Sequence, residues 1–132
     1  MQAIDYAKTA LVAAEKRHEE FITKNSEYQS FISLPWYKRM LILHPVKKPT
    51  FYHCEFVTLY CDNHHSVELR LYYSGIHREI VLAINEDYCG FRLDVDTLEK
   101  KPYLGKVDME VSNEFFDYVM VLRNMLAPLL VE

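Results

Sequence analysis

Between Phe51 and Val95 the chain alternates apolar and polar residues in four successive runs, broken by short turn stretches at 62–65, 75–76 and 85–88. A period of two marks strands with one buried face and one wet face. Turn chemistry sets their register. Gly75-Ile76 suits a two-residue type II′ turn, because glycine at the first central position accepts positive φ. That turn pairs Ser74 with His77 and Leu71 with Ile80. A four-residue loop at 62–65 pairs Phe56 with Leu71, and another at 85–88 pairs Leu82 with Phe91. A slip of one residue would invert a strand, and the three choices agree about faces.

One face then holds Cys54, Phe56, Thr58 and Tyr60, followed by Val67, Leu69, Leu71 and Tyr73. Ile80, Leu82, Ile84, Cys89, Phe91, Leu93 and Val95 complete it, with Arg78 as its only charge. This is the expected core face. The opposite face holds His53, Glu55, Val57, Leu59, Glu68, Arg70, Tyr72, His77, Glu79, Val81, Ala83, Arg92 and Asp94. In this register Glu55, Tyr72, Glu79 and Asp94 form one row across the sheet, with Val57, Arg70, Val81 and Arg92 in the next. Residues 106–111 alternate again and are expected to add a fifth strand.

Helical periodicity brackets these strands. Ile4, Ala7, Leu11, Ala14, His18 and Phe21 recur at spacings of three and four, predicting a helix over 3–24. Its stripe is interrupted by His18, read as a helix-packing histidine with one satisfied nitrogen, while Lys8, Glu15, Lys16, Glu19 and Glu20 face outward. Ser26 with Gln29 fits a capping box and predicts a second helix, broken near Ser33 because Pro35 disfavours a helical Leu34. Residues 36–43 read as a helix in preference to a strand, and 44–49 as a loop. Ser112 is a good N-cap for a final helix with Phe115, Val119, Leu122 and Leu126 on one stripe. Phe116, Met120, Val121 and Met125 spread apolar character around that helix, so a second subunit or the domain's own layers must cover it.

The 132 residues suit one domain, 1–132, large enough to bury a core without staples. Half are apolar, which excludes disorder and low complexity. The net charge of −4, with no concentrated basic stripe, speaks against a nucleic-acid partner. The N-terminal stretch has charges every few residues and no apolar core, unlike a signal peptide, and no run approaches the roughly 20 apolar residues that span a bilayer. Three cysteines form no framework spacing, so reduced thiols in a cytoplasm are expected.

The candidate site is the polar sheet face: Glu55, Arg70, Tyr72, Glu79, Arg92 and Asp94. Glu79 opposite Asp94 places like charges together; crowded carboxylates give an acid and a base in some enzymes, but weak ion pairs on a wet face are the commoner use of such rows. A mix of tyrosine, aliphatic and paired charged residues resembles a protein contact. The segment Cys61-Asp62-Asn63-His64-His65 offers zinc ligand types without a zinc spacing, so no metal and no cofactor are expected. The composite expectation is an α+β fold: N-terminal helices, a four- or five-stranded antiparallel meander, and a C-terminal helix on the apolar sheet face. Its expected function is that of a non-catalytic protein–protein interaction module, a small acidic cytoplasmic adaptor, inhibitor or chaperone-like protein. It is expected to form a homodimer through its C-terminal helix, without a nucleic-acid or membrane partner. The alternative is a small-ligand binder or enzyme using the polar face or a cavity between sheet and helices.

Overall fold

A computed structural model describes residues 2–42, 46–102 and 111–130. Helix α1 spans Ala3–Ile32 and α2 spans Trp36–Met40. Strands β1 (Tyr52–Cys61), β2 (His65–Ser74), β3 (His77–Glu86), β4 (Cys89–Asp94) and β5 (Lys100–Pro102) follow. Helix α3 (Asn113–Leu126) leads into a 3₁₀ turn at Ala127–Leu129. The strands form one antiparallel meander in the order β1-β2-β3-β4-β5, so the chain is α+β as its patterning requires. Among the described residues no helix is long and apolar enough to cross a membrane.

The core lies between one sheet face and the two long helices. Val67, Leu69, Leu71, Tyr73, Ile80, Leu82, Ile84, Phe91, Leu93 and Val95 are buried there, as the alternation predicts. Phe115, Val119, Leu122 and Leu126 of α3 close over them, so this helix spends its apolar stripe on its own domain. Ser112 caps it, accepting the Phe115 N–H at 3.4 Å. Val121 and Met125 remain exposed on its outer side.

Helix α1 departs from expectation twice. It runs unbroken through Asn25 and Ser26 to Ile32, where the cap at Ser33 sits two residues before Pro35. Serine and asparagine in a helix interior cost only about 0.5–0.7 kcal/mol relative to alanine, and nothing else at 25–26 stops propagation. The second departure is Glu15, which is 3% exposed instead of facing outward. Its Oε1 accepts the Tyr73 hydroxyl at 3.0 Å and Arg78 Nε at 2.7 Å, and Arg78 Nη1 reaches Asp96 at 2.8 Å. Arg78 is a charge on the core face beneath α1, and an unpaired charge there would cost several kcal/mol; the helix above supplies the counter-charge. Burial and the Glu15 carboxylate raise the Tyr73 pKa, keeping its hydroxyl a donor. His18 packs against Phe21, Phe51 and Tyr73, its Nε2 3.0 Å from the Gly75 carbonyl, as a packing histidine should.

The strand registers are part expected, part corrected. Gly75 has φ +60°, and Ser74 pairs with His77 and Leu71 with Ile80 as the turn dictates. The four-residue loop also pairs Cys61 with Ser66 and Tyr60 with Val67, but a bulge between Thr58 and Tyr60 then shifts the ladder. Phe56 faces Arg70 instead of Leu71, and every side chain of β1 before the bulge changes face. Val57 is buried and Leu59 packs on the core, while Cys54, Phe56 and Thr58 turn outward. The bulge lets Val57, Leu59 and Tyr60 all serve the helix side, Tyr60 meeting Tyr118 with ring centroids 5.4 Å apart.

Between β3 and β4 the connection is a tight turn at Asp87-Tyr88, not a four-residue loop. Leu82 therefore pairs with Leu93 instead of Phe91. Asp87 takes φ 52°, a conformation aspartate tolerates better than most residues. A shift of two keeps every side chain on its face but moves it one row. The fifth strand lies at Lys100–Pro102; residues 103–110, which hold most of the alternation at 106–111, lie outside the described residues.

Candidate functional site

The sheet face turned away from α1 and α3 carries Arg70 and Tyr72 from β2, Glu79 from β3, and Arg92 and Asp94 from β4. Glu55, the sixth expected member, is not among them. The bulge puts it on the helix side, where it accepts a hydrogen bond from the Tyr6 hydroxyl at 3.2 Å and lies 3.1 Å from His53 Nε2. The expected opposition of Glu79 and Asp94 is also absent. The tighter β3–β4 turn sets Asp94 against Val81, and the single row of four residues does not form.

What forms instead is a neutralised network. Arg92 Nη1 donates to Glu79 Oε1 at 3.1 Å, and Lys101 Nζ reaches Glu79 Oε2 at 3.1 Å and Asp94 Oδ2 at 3.7 Å. Asp94 Oδ1 meanwhile accepts the N–H groups of Asp96 and Thr97 at 2.9 and 3.0 Å, shaping the turn into β5. Arg70 Nε donates to Glu68 Oε1 at 2.8 Å. Partly exposed pairs of this kind are worth about 0.2–1 kcal/mol each. Their chemistry is that of an ion-paired surface, with each carboxylate already engaged by cations or turn amides.

Toward β1 the same face turns aromatic. Tyr52 (68% exposed), Phe56 (57%) and Tyr72 (41%) stand there, with Cys54 exposed between the first two. The Tyr52 and Tyr72 rings meet edge to face at 6.0 Å, and the Arg70 guanidinium sits 4.9 Å from the Phe56 centroid. Arginine over an aromatic face is a cation–π contact. Sequence reasoning missed Tyr52 and Phe56 because the inverted register of β1 placed Val57 and Leu59 on this face. Val81, expected to supply apolar contact, is on the face but only 2% exposed.

A second polar cluster gathers at the β1–β2 tip. His65 lies between two carboxylates, with Nδ1 3.1 Å from Asp62 Oδ1 and Nε2 3.0 Å from Glu86 Oε2. Tyr60 donates to Asp62 at 2.6 Å, and the Ser112 N–H and hydroxyl donate to Glu86 at 3.0 and 2.9 Å. Burial opposes charge on His65, but the two carboxylates outweigh it and raise its pKa. Burial likewise disfavours charge on Glu86, and the Ser112 donors with His65 prevail, lowering its pKa. The Tyr60 hydroxyl and the amides of His64 and His65 hold Asp62 well below the usual carboxylate range. The network ties the hairpin tip to the N-terminus of α3. The adjoining His64 turns to Asp87 at 2.8 Å, its ring at 82° to that of His65. Among the described residues no group of three or more His, Cys, Asp and Glu is placed to hold a metal ion.

No family model, curated protein or solved structure matches this chain.

On the helix side, α1 and the segment leading into β1 bound an open groove of about 570 Å³. Phe21 and Phe51 line it, with Arg17, Lys24, Lys47 and Lys48 and the acidic Glu20 and Glu27 around them. It shares no residue with the Glu79–Asp94 network.

Proposed function

We propose that this chain is a non-catalytic protein–protein interaction module that binds its partner with the outer sheet face. Arg70 and Tyr72 stand at the centre of that surface, with Glu79, Arg92 and Asp94 as its polar flank. The observation that supports this reading is the exposed set Tyr52, Phe56 and Tyr72 beside Arg70 on a face that neither α1 nor α3 covers. Tyrosine and arginine dominate the energetics of protein interfaces, and a polar rim around such anchors is the usual arrangement. The paired carboxylates of the flank suit recognition of a charged surface better than proton transfer. Three free cysteines fit a reducing, cytoplasmic setting for a small acidic adaptor, inhibitor or chaperone-like protein. We include homodimerisation in this proposal.

The test is affinity capture from the native host with the wild-type protein and with the Arg70→Glu/Tyr72→Ala variant, followed by titration of the purified partner. The variant should bind about 10- to 100-fold more weakly, the scale of two anchor residues, while its thermal melt stays close to wild type. Equal affinity for wild type and variant would refute this face as the binding surface.

A further inference from the structure

Among the described residues the two outer strands of the sheet, β1 and β5, are built on opposite rules. Strand β5 is three residues long and reads Lys100-Lys101-Pro102. Short length, lysine and proline are the devices by which proteins stop an edge from pairing with another chain. Strand β1 is ten residues long, with no lysine or proline and Glu55 as its only formal charge. It stands at the end of the sheet order, with aromatic side chains along its outer face. A long edge without lysine or proline is a template for strand addition over its straight part, here up to the bulge after Thr58.

The pattern of β1 also states what adds to it. Gly75 N–H donates to the Phe51 carbonyl at 2.9 Å, so Phe51 directs its hydrogen-bonding groups toward β2. In an antiparallel ladder the direction alternates. Tyr52, Cys54 and Phe56 therefore turn their N–H and C=O groups to the open edge. The straight part of the strand ends at the bulge between Thr58 and Tyr60, which leaves Cys54 near its midpoint.

We propose that β1 is the seam of a homodimer, pairing antiparallel with β1 of a second copy about a two-fold axis through Cys54. This rests on the interaction reading above and moves the dimer contact from α3 to the sheet edge. In this register Tyr52 lies opposite the second copy's Phe56, and His53 opposite its Glu55, each twice by symmetry. The strand is thus complementary to itself in ring and in hydrogen-bonding groups. An axis through Glu55 would set two carboxylates face to face, and an axis through Phe56 would draw the bulge into the ladder. The pairing joins the two aromatic patches into one surface, and the guarded β5 edges stop the sheet from growing further.

Light scattering of the wild-type protein should return a mass near twice 15.7 kDa. A protein whose only cysteine is Cys54 (Cys61→Ser, Cys89→Ser) should cross-link to a dimer under mild oxidation, since facing Cα atoms about 5.5 Å apart are within disulfide reach. A protein whose only cysteine is Cys61 should not. Cys54→Pro deletes one edge-facing N–H without removing a bond to β2, and Cys54→Lys guards the edge as β5 is guarded. Each should raise the dimer dissociation constant about tenfold or more with an unchanged circular dichroism spectrum, and either suffices if the other fails to fold. Val121→Glu/Met125→Glu on α3 should remain dimeric. The seam is overturned by a monomer at all concentrations, by dimers that survive both Cys54 substitutions, or by loss of the dimer in the α3 variant alone. It is equally overturned by cross-linking through Cys61 in place of Cys54. A monomer that still captures its partner through Arg70 and Tyr72 would retain the interaction reading and lose only the seam.

Discussion

At the scale of single residues, histidines here bond to carboxylates. His65 is the clearest case. Its pKa is raised in the folded protein, so its contribution to stability is fully present below its ordinary value of 6.5 and fades as pH rises through the folded value. Glu86 is shifted the other way, so its contribution is present above its ordinary value of 4.5 and fades as pH falls through its lower folded value. The tip network is therefore strongest between those two ordinary values. Urea unfolding of wild type and His65→Gln should differ most within that window and converge as pH climbs above it; a difference that grew with pH would contradict the charged bridge. The pairing itself was hidden in sequence, where Asp62 and Glu86 sit in different loops. Glu15 was hidden too, although Leu11, Glu15 and His18 share a helical stripe and the lone Arg78 below needed a counter-charge.

At the scale of elements, local patterns named most segments correctly and erred where two patterns competed. Ser26 and Gln29 have the spacing of a capping box, yet α1 carries straight through them. A cap is realised only where the preceding backbone leaves the helix, and here residues 3–24 propagate into it. Ser26→Ala should accordingly be neutral or stabilise the protein by about 0.5 kcal/mol, whereas loss of a true cap costs about 1 kcal/mol; chemical denaturation separates the two signs. The turn between β3 and β4 shows the same competition. Asp87-Tyr88 turns in two residues because aspartate accepts positive φ, and the flanking Glu86 and Cys89 extend the ladder. Neither residue announces this as glycine announces the turn at Gly75.

At the scale of the whole molecule, the sheet is asymmetric among the described residues: one face lies under α1 and α3 and the other does not, and one outer strand carries lysine and proline while the other carries neither. Most apolar burial sits on the helix side, and the other face combines buried Val81 and Ala83 with an ion-paired flank and an aromatic end. The guarded edge has a checkable role. Lys100 and Pro102 are exposed on β5, and replacing both with valine restores an N–H and removes a charge from that edge. Static light scattering of Lys100→Val/Pro102→Val should show concentration-dependent species larger than the wild type, because a sheet with two open edges can chain. A scattering mass equal to wild type at every concentration would deny β5 that protective role.

The sequence by itself determined the fold class, the buried faces of β2, β3 and β4, the glycine turn, and the start and stripe of α3. It did so because periods of two and 3.6 and the demands of a turn or a cap are local properties. Only the tertiary structure decided which way β1 faces, that Glu15 is inside, and that Glu79 and Asp94 share Lys101 in place of confronting each other. A one-residue bulge costs little within a strand, and a two-residue change of turn costs little within a hairpin. What selects between such alternatives is the side chains that meet across elements, from Val57 and Leu59 against the helix layer to Glu15 against Arg78. Of the expected site, Arg70, Tyr72, Glu79, Arg92 and Asp94 were legible from alternation, while Glu55 was exchanged for Tyr52 and Phe56 by a bulge that no glycine or proline marks.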